Sequence, residues 1–437
     1  MYISALVDLL RHKTFILKYL IVIGITSLTY SLVGCGGSQG SGAKTTFQLE
    51  ALDPGSQPWN PVPRDQVAAT CGLDPDLLDA VALQLALTPY SIIRYGHLCW
   101  SGGYPGGTTS PYNVFSVTKT FGAVLFGMIS MRSNLNDTDL VTKWIPQENL
   151  GDINPQATLA HILAMTSTSA SLDPGMKDTW SYDTTGSREI NVLIGIMNRV
   201  IELESNAFPG VANVKEFAEK ELFLPLGMDK SSWPGDSIGS GLVTTVEDMS
   251  RLGLLLLRKG RWDNKQLLDE SFVYRMTHPA FEDANTGYGY LTQMNAEQNW
   301  TYSTGTADLD CSPYTTWGYY PHAPFYGASD NGGGSPFEGD YDIGLFWAAG
   351  TLGQKVSVHR GLDLVITVRD DILDLGSDIL AGEGLFEGHK RVWNLIRPAL
   401  LAHDPVYAGD EDGFCAAYQR SEYAPDLISI WSAEAYN

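Results

Sequence analysis

Segments of strand character lie near the two ends of this chain, with almost none between them. YSIIRYG followed by HLCWSGG (90–103) reads as two strands around a tight turn, and QKVSVHRGLDLVITVRDD (354–371) alternates like a hairpin turning at Arg360-Gly361. The intervening sequence is helical in pattern. DPDLLDAVALQLAL (74–87) has helical spacing, a long apolar helix starts at Ser116, and 140–235 is mostly helical stretches broken by Pro, Gly and Asp. GLVTTVEDMSRLGLLLL (241–257) carries Thr244 and Glu247 at capping-box spacing before an apolar helix, and GEGLFEGHKRVWNLIRPALL (382–401) reads as a closing helix. This order predicts an α+β fold: an antiparallel sheet formed from both chain ends, flanked by helices, with an inserted helical lobe. No internal repeat is present.

The first residues stand apart from that pattern. Arg11, Lys13 and Lys18 precede the uncharged run YLIVIGITSLTYSLVG, which has the length of a signal-peptide apolar region and is short for a membrane span. The run ends in Leu32-Val33-Gly34-Cys35. That tetrapeptide resembles a bacterial lipobox, which implies a signal peptide over 1–34, a lipid on Cys35 and export to a bacterial envelope. Gly36, with no Asp after the cysteine, resembles an outer-membrane address. A flexible tether is expected over 35–60, a single domain over 61–410 and an acidic tail over 411–437. Removing residues 1–34 takes away three bases and one acid, so the net charge goes from −22 to −24. Such a charge argues against a nucleic-acid partner, whose phosphates it would repel.

Export would place Cys71, Cys99, Cys311 and Cys415 in an oxidising compartment, where disulfides persist. Four cysteines allow three pairings. Cys71–Cys99, joining an early helix to an early strand, and Cys311–Cys415, pinning two irregular segments, are the favoured pairs. No C-x-x-C or His/Cys cluster suggests a metal site, and no cofactor is implied.

Chemistry is suggested by YNVFSVTKTFGAVLFGM (112–128). Residues three apart on a helix share a face, so Ser116 and Lys119 stand side by side in its first turn. A serine hydroxyl is a poor nucleophile until a neighbour takes its proton. A lysine serves once desolvation lowers its pKa, and Val114, Phe115, Phe121, Val124 and Leu125 exclude water here. The helix N-terminus also favours a developing oxyanion. Two other matches, GGSQG and SGAK within 36–44, sit in the tether and not between strand and helix, so they are chance.

Ser116-Val117-Thr118-Lys119 resembles the first motif of the beta-lactamase-related serine hydrolases, which include class C beta-lactamases, D,D-peptidases, carboxylesterases and nylon-oligomer hydrolases. TLAHILAMTS (158–167), LFLPLGMDKSSW (222–233) and GLVTTVEDMSRLGLLLLRKGRWDNKQLL (241–268) follow in that family's order, and the resemblance covers roughly 65–400. It implies a beta-lactamase/transpeptidase-like fold and an acyl-enzyme on Ser116. The second family motif, Tyr-x-Asn, falls on Tyr182 in WSYDTTGSREINVLIG, with Thr184 in the Asn place and a longer stretch than usual up to Leu193. The third falls on Ala348-Ala349-Gly350, so the resemblance assigns Gly350 to close substrate approach and the N–H groups of Thr351 and Ser116 to an oxyanion hole. Where relatives carry Lys or His, this chain has Ala348, and Arg188 is the candidate substitute cation. His161 is expected to be structural.

Together these readings predict an envelope-anchored serine hydrolase with catalytic Ser116, Lys119 and Tyr182 and substrate or oxyanion contacts at Thr184, Gly350 and Thr351. Its partners would be a small-molecule ester, amide or peptide substrate, and the membrane through the lipid on Cys35. A beta-lactamase, a D,D-carboxypeptidase or a non-catalytic penicillin- or peptide-binding protein of the same fold is the alternative. Residues 281–342 contain no Lys or Arg and many aromatics, and read either as a wall over the site or as a self-packed insertion.

Overall fold

One antiparallel sheet joins the two ends of the chain. The computed structural model describes residues 53–294 and 345–369, apart from 105–106, 169–170, 282, 286 and 360–362, together with Ile396 and Ala399. The strands of the sheet are β1 (Tyr90–Arg94), β2 (His97–Gly102), β3 (Gln293–Met294), β4 (Leu345–Gly350), β5 (Gln354–His359) and β6 (Leu364–Val368). They run in the order β2-β1-β6-β5-β4-β3, each pair antiparallel. Ile92 faces Ile366 across β1 and β6, and His359 faces Leu364 across β5 and β6, which brackets the expected turn at 360–361. The expected pairing of early with late strands is therefore observed.

The helices that matter here are α1 (Pro75–Gln84), α2 (Val117–Ser130), α3 (Leu159–Leu163), α4 (Val192–Leu203), α5 (Val246–Leu257) and α6 (Glu270–Thr277). Helix α1 starts where the sequence asks it to: Asp74 accepts from the amides of Asp76 and Leu77, and Pro75 follows at the first helical position. Helix α2 is buried on every side from Val117 to Ile129. A helix apolar all round belongs in the middle of a core. Phe121 stacks on Phe223 at 5.4 Å and meets Trp233 edge-on at 5.3 Å, fixing its rotation.

Helix α5 lies across the sheet beside it. Ser250 bonds both Ser91 and Thr367 through its hydroxyl, at 2.7 and 2.8 Å, pinning the helix to β1 and β6. The cap of α5 is Thr245, whose Oγ1 accepts from the amide of Asp248 at 3.0 Å, one residue later than the Thr244/Glu247 spacing implies. Thr244 is spent elsewhere: it pairs with Tyr112 in a short ladder and its hydroxyl bonds Ser231. Glu247 turns outward to accept from Thr108.

Residues 140–190 are less helical than their pattern suggests. Besides α3 they form short 3-10 turns at Val141–Lys143 and Gln147–Asn149. Prolines 146, 155 and 174 and glycines 151 and 175 interrupt every longer run. The body of the protein also begins earlier than expected. Arg251 donates to the carbonyls of Gly55 (3.0 Å) and Gln57 (2.6 Å), and its guanidinium covers the ring of buried Trp59. Residues 53–60, read as tether, are thus packed against α5. Cys71 and Cys99 form a disulfide joining the Val67–Cys71 turn to β2, whereas Cys311 and Cys415 lie outside the described residues.

Candidate active site

The turn before α2 is held in an unusual backbone shape. Phe115 has φ +48°, a left-handed conformation that a bulky residue adopts only when its surroundings impose it. Asn113 Oδ1 accepts the Phe115 amide at 2.8 Å, and the Phe115 carbonyl accepts from both the amide and the hydroxyl of Thr118. Thr118 Oγ1 in turn accepts from the amide of Leu242. Ser116 stands at the N-cap position but makes no capping bond. The amides that a cap would serve are already taken: those of Val117, Thr118 and Lys119 donate to the carbonyls of Val114, Phe115 and Ser116. The Ser116 hydroxyl is therefore left to meet Lys119.

Lys119 Nζ lies 2.9 Å from Ser116 Oγ and 3.0 Å from each of two backbone carbonyls, those of Thr184 and Gly239. The side chain is only 1% exposed. Burial pulls its pKa down to about 8, with the nearby charge of Asp183 resisting. Tyr182 lies over the same amine, its ring centroid 4.8 Å from Nζ. Burial pushes the phenol up to about 12, and a hydrogen bond with Ser116 pulls it back. Trp180 and the buried Tyr288 pack beside this ring, Tyr288 edge-on at 6.5 Å. The structure thus brings Ser116, Lys119 and Tyr182 together, and it adds Tyr288, from the front of the aromatic stretch, as a supporting ring. The rest of that stretch, 295–342, lies outside the described residues.

Thr184 takes part differently from expectation. Its carbonyl, not its side chain, meets Lys119, and the side chain is exposed. The chain is turned there by Asp183, whose buried carboxylate accepts from the amides of Gly186, Glu189 and Ile190. Arg188 is committed locally: it donates to the Ser181 hydroxyl and carbonyl and pairs with the buried Glu189. Glu189 also accepts from Ser167, and burial raises its pKa. Beside Arg188 opens a cleft of about 670 Å³, lined also by Asp152, Asn154, Thr168 and Asp173, and not by Ser116, Lys119 or Tyr182.

At the end of β4, a Cβ on Gly350 would fall 2.1 Å from the carbonyl oxygen of Val114. The space that glycine leaves is filled by the turn that carries Ser116, not by substrate, and Thr351 follows as the exposed start of a short turn. Ala348 is buried and brings no charge. A cation is present nearby, Lys355, opposite Ala349 and over the ring of Trp347. Alternation along β5 sends it to the other face of the sheet from Val356, which meets α5 at Gly253. His161 caps α3, its Nδ1 accepting from the Thr158 amide at 2.9 Å, and stacks on Phe281, so it is structural. Among the described residues no group of three or more His, Cys, Asp or Glu side chains could hold a metal ion.

The family model named Beta-lactamase matches residues 91–328. The chain belongs to the beta-lactamase family. Its fold is that of beta-lactamase-related serine hydrolases. A structure from Bacteroides dorei, provisionally named a beta-lactamase, is 16% identical with a TM-score of 0.50 over 75% of this chain and 99% of its own. A beta-lactamase from Mycobacterium bovis is 15% identical (TM-score 0.43; 78% and 99% covered). EstCE1, a hydrolase with promiscuous acyltransferase activity, is 14% identical (TM-score 0.45; 77% and 99% covered). Comparison with curated proteins found no match. For a chain of the beta-lactamase family, Ser116, Lys119 and Tyr182 lie together in this structure.

Proposed function

We propose that this protein is an envelope-anchored serine hydrolase that forms an acyl-enzyme on an ester or amide. The observation that carries the reading is the 2.9 Å contact between the Nζ of buried Lys119 and the Oγ of half-buried Ser116. Lys119, as free amine, takes the hydroxyl proton while Oγ bonds to the substrate carbonyl carbon. The amides of Ser116 and Thr351 receive the oxyanion. Tyr182, kept neutral by its raised pKa, relays the proton to the departing alcohol or amine. Water then attacks the acyl-serine, the same groups move the proton in reverse, and the acid is released.

The surroundings favour neutral or cationic substrates. Ala348 offers no charge, Lys355 faces the other side of the sheet, and Arg188 is already bound to Ser181 and Glu189. A negative net charge of −22 adds an unfavourable field for anions. Beta-lactams and D,D-peptides carry a carboxylate beside the scissile bond. Anchoring is proposed from Leu32-Val33-Gly34-Cys35, with the lipid on Cys35.

A fluorophosphonate should label Ser116 in the wild type and not in Ser116→Ala, and catalytic efficiency should be higher on a short-chain p-nitrophenyl ester than on nitrocefin. A preference for nitrocefin would transfer the assignment to a beta-lactamase. A penicillin adduct on Ser116 without turnover would transfer it to a penicillin-binding protein. Cys35→Ser should release the chain from membranes, and a wild type that is wholly soluble with an unmodified N-terminus refutes the anchor.

A further inference from the structure

We propose that Asn191 and Asp183 are positioning residues that aim the Lys119 amine at Ser116, by fixing the two backbone carbonyls that bind it. The inference rests on the reading of Lys119 as the base. A neutral amine has two N–H donors and one lone pair. Three acceptors surround Nζ: the carbonyls of Thr184 and Gly239, each at 3.0 Å, and Ser116 Oγ at 2.9 Å. When the two carbonyls take the two N–H groups, the remaining direction, toward Ser116, holds the lone pair. That is the orientation in which an amine accepts the hydroxyl proton. Without the carbonyls the amine turns about its Cε–Nζ bond and presents a hydrogen there as readily as the lone pair.

Each carbonyl has its own holder. Asn191 Oδ1 accepts from the amide of Ile238 at 2.8 Å, the hydroxyl of Ser237 at 3.3 Å and the amide of Gly239 at 3.4 Å, which fixes the 237–239 loop. Asp183 folds 184–190 by accepting the amides of Gly186, Glu189 and Ile190. The two loops interlock: a Cβ on Gly239 would fall 2.1 Å from the Thr185 carbonyl, and one on Gly186 would fall 2.6 Å from Asn191 Oδ1. Asn191 also donates its own amide to the Gly186 carbonyl at 2.9 Å. The stretch between Tyr182 and α4 therefore holds both carbonyls in place through Asp183 and Asn191.

Among the described residues, the groups that titrate near Lys119 are these. Tyr182 and Asp183 face it from the 182–190 segment, and Tyr288 and Glu189 stand behind Tyr182. Residues 237–242 and 345–350 contain no titratable side chain; α4, which also packs on α2, carries Arg199 and Glu202, and β5 carries Lys355 and His359.

The test is the pH dependence of kcat/KM for a p-nitrophenyl ester, measured on the full chain with two substitutions. Asn191→Ala frees the Gly239 carbonyl. The plateau should fall about 10- to 100-fold from lost orientation. The midpoint should move to lower pH, because one acceptor that favours the ammonium is gone. Asn191→Asp keeps an acceptor for every bond that Oδ1 receives. It should retain most of the plateau while its added charge moves the midpoint to higher pH. Opposite movements of the midpoint are what a general loss of stability would not produce. If Asn191→Ala does not fold, Asn191→Leu, of similar size but with no acceptor, takes its place with the same expectation. Wild-type plateau and midpoint in Asn191→Ala, or in Asn191→Leu where Asn191→Ala is unfolded, would overturn the proposal while leaving the hydrolase reading intact. A wild type with no ester turnover and no label on Ser116 would overturn both.

Discussion

Hydrolysis by this protein should switch on with pH through the titration of Lys119. Burial brings that pKa down from 10.5 to about 8. At pH 7 about a tenth of the amine is then neutral, against about 3 in 10,000 for an ordinary lysine, a gain of about 300-fold in available base. The assay is kcat/KM for a p-nitrophenyl ester from pH 6 to pH 10. The rate should rise about tenfold per pH unit at the acid end, bend near pH 8 and then level. Fluorophosphonate labelling of Ser116 should follow the same curve. Asp183 is the group that holds the ammonium form up, so Asp183→Asn should move the bend to lower pH. The buried amine also has a cost in stability. Between pH 8 and 10.5 the folded chain binds fewer protons than the unfolded chain, so stability should rise with pH across that window. The penalty at pH 7 is about 3 kcal/mol. A rate flat from pH 6 to 9, or one still climbing tenfold per unit beyond pH 10, refutes Lys119 as a desolvated base.

Gly350→Ala places a methyl 2.1 Å from the Val114 carbonyl, so β4 or the turn that carries Ser116 must shift; stability should fall by about 1–3 kcal/mol in urea unfolding, with ester turnover falling further than the folded fraction does. Replacing Cys71 and Cys99 together by Ala should lower stability by about 3 kcal/mol, since their bond closes a loop of sequence separation 28, and unchanged unfolding would contradict this. Asp248 is buried with its pKa raised to about 6, first by burial and against a hydrogen bond from Ser231. Its folded pKa is above the ordinary 3.8, so the stability it contributes is present at acid pH and lost as pH rises through about 6. Asp248→Asn should therefore show no such loss, and the two unfolding curves should separate between pH 4 and 6.

The sequence by itself determined whatever depends on neighbours along the chain or on a strong pattern. Ser116 and Lys119 meet because three residues on a helix share a face, and no distant contact can change that spacing. The alternation at 90–103 and 354–368 was enough to pair the chain ends, and the favoured pairing of Cys71 with Cys99 is the bond that forms. What surrounds Lys119 was a different matter. Its partners are the carbonyls of Thr184 and Gly239, 65 and 120 residues away, and a carbonyl is present at every residue, so no side chain advertises them. Asn191 and Asp183 act on backbone and so carry no motif. Position 184 read as a side-chain site because the pattern there is one of side chains. The cap of α5 moved from Thr244 to Thr245 because a two-residue ladder with Tyr112 claimed the first threonine. Gly350 reads in sequence as room for a ligand, and only the packed fold puts the Val114 carbonyl there. Lys355 is one strand away from Ala348, and the alternation of β5, once the register was fixed, turned its charge to the opposite face of the sheet. Local geometry set Ser116 beside Lys119, and tertiary contact decided the burial that lowers the lysine's pKa.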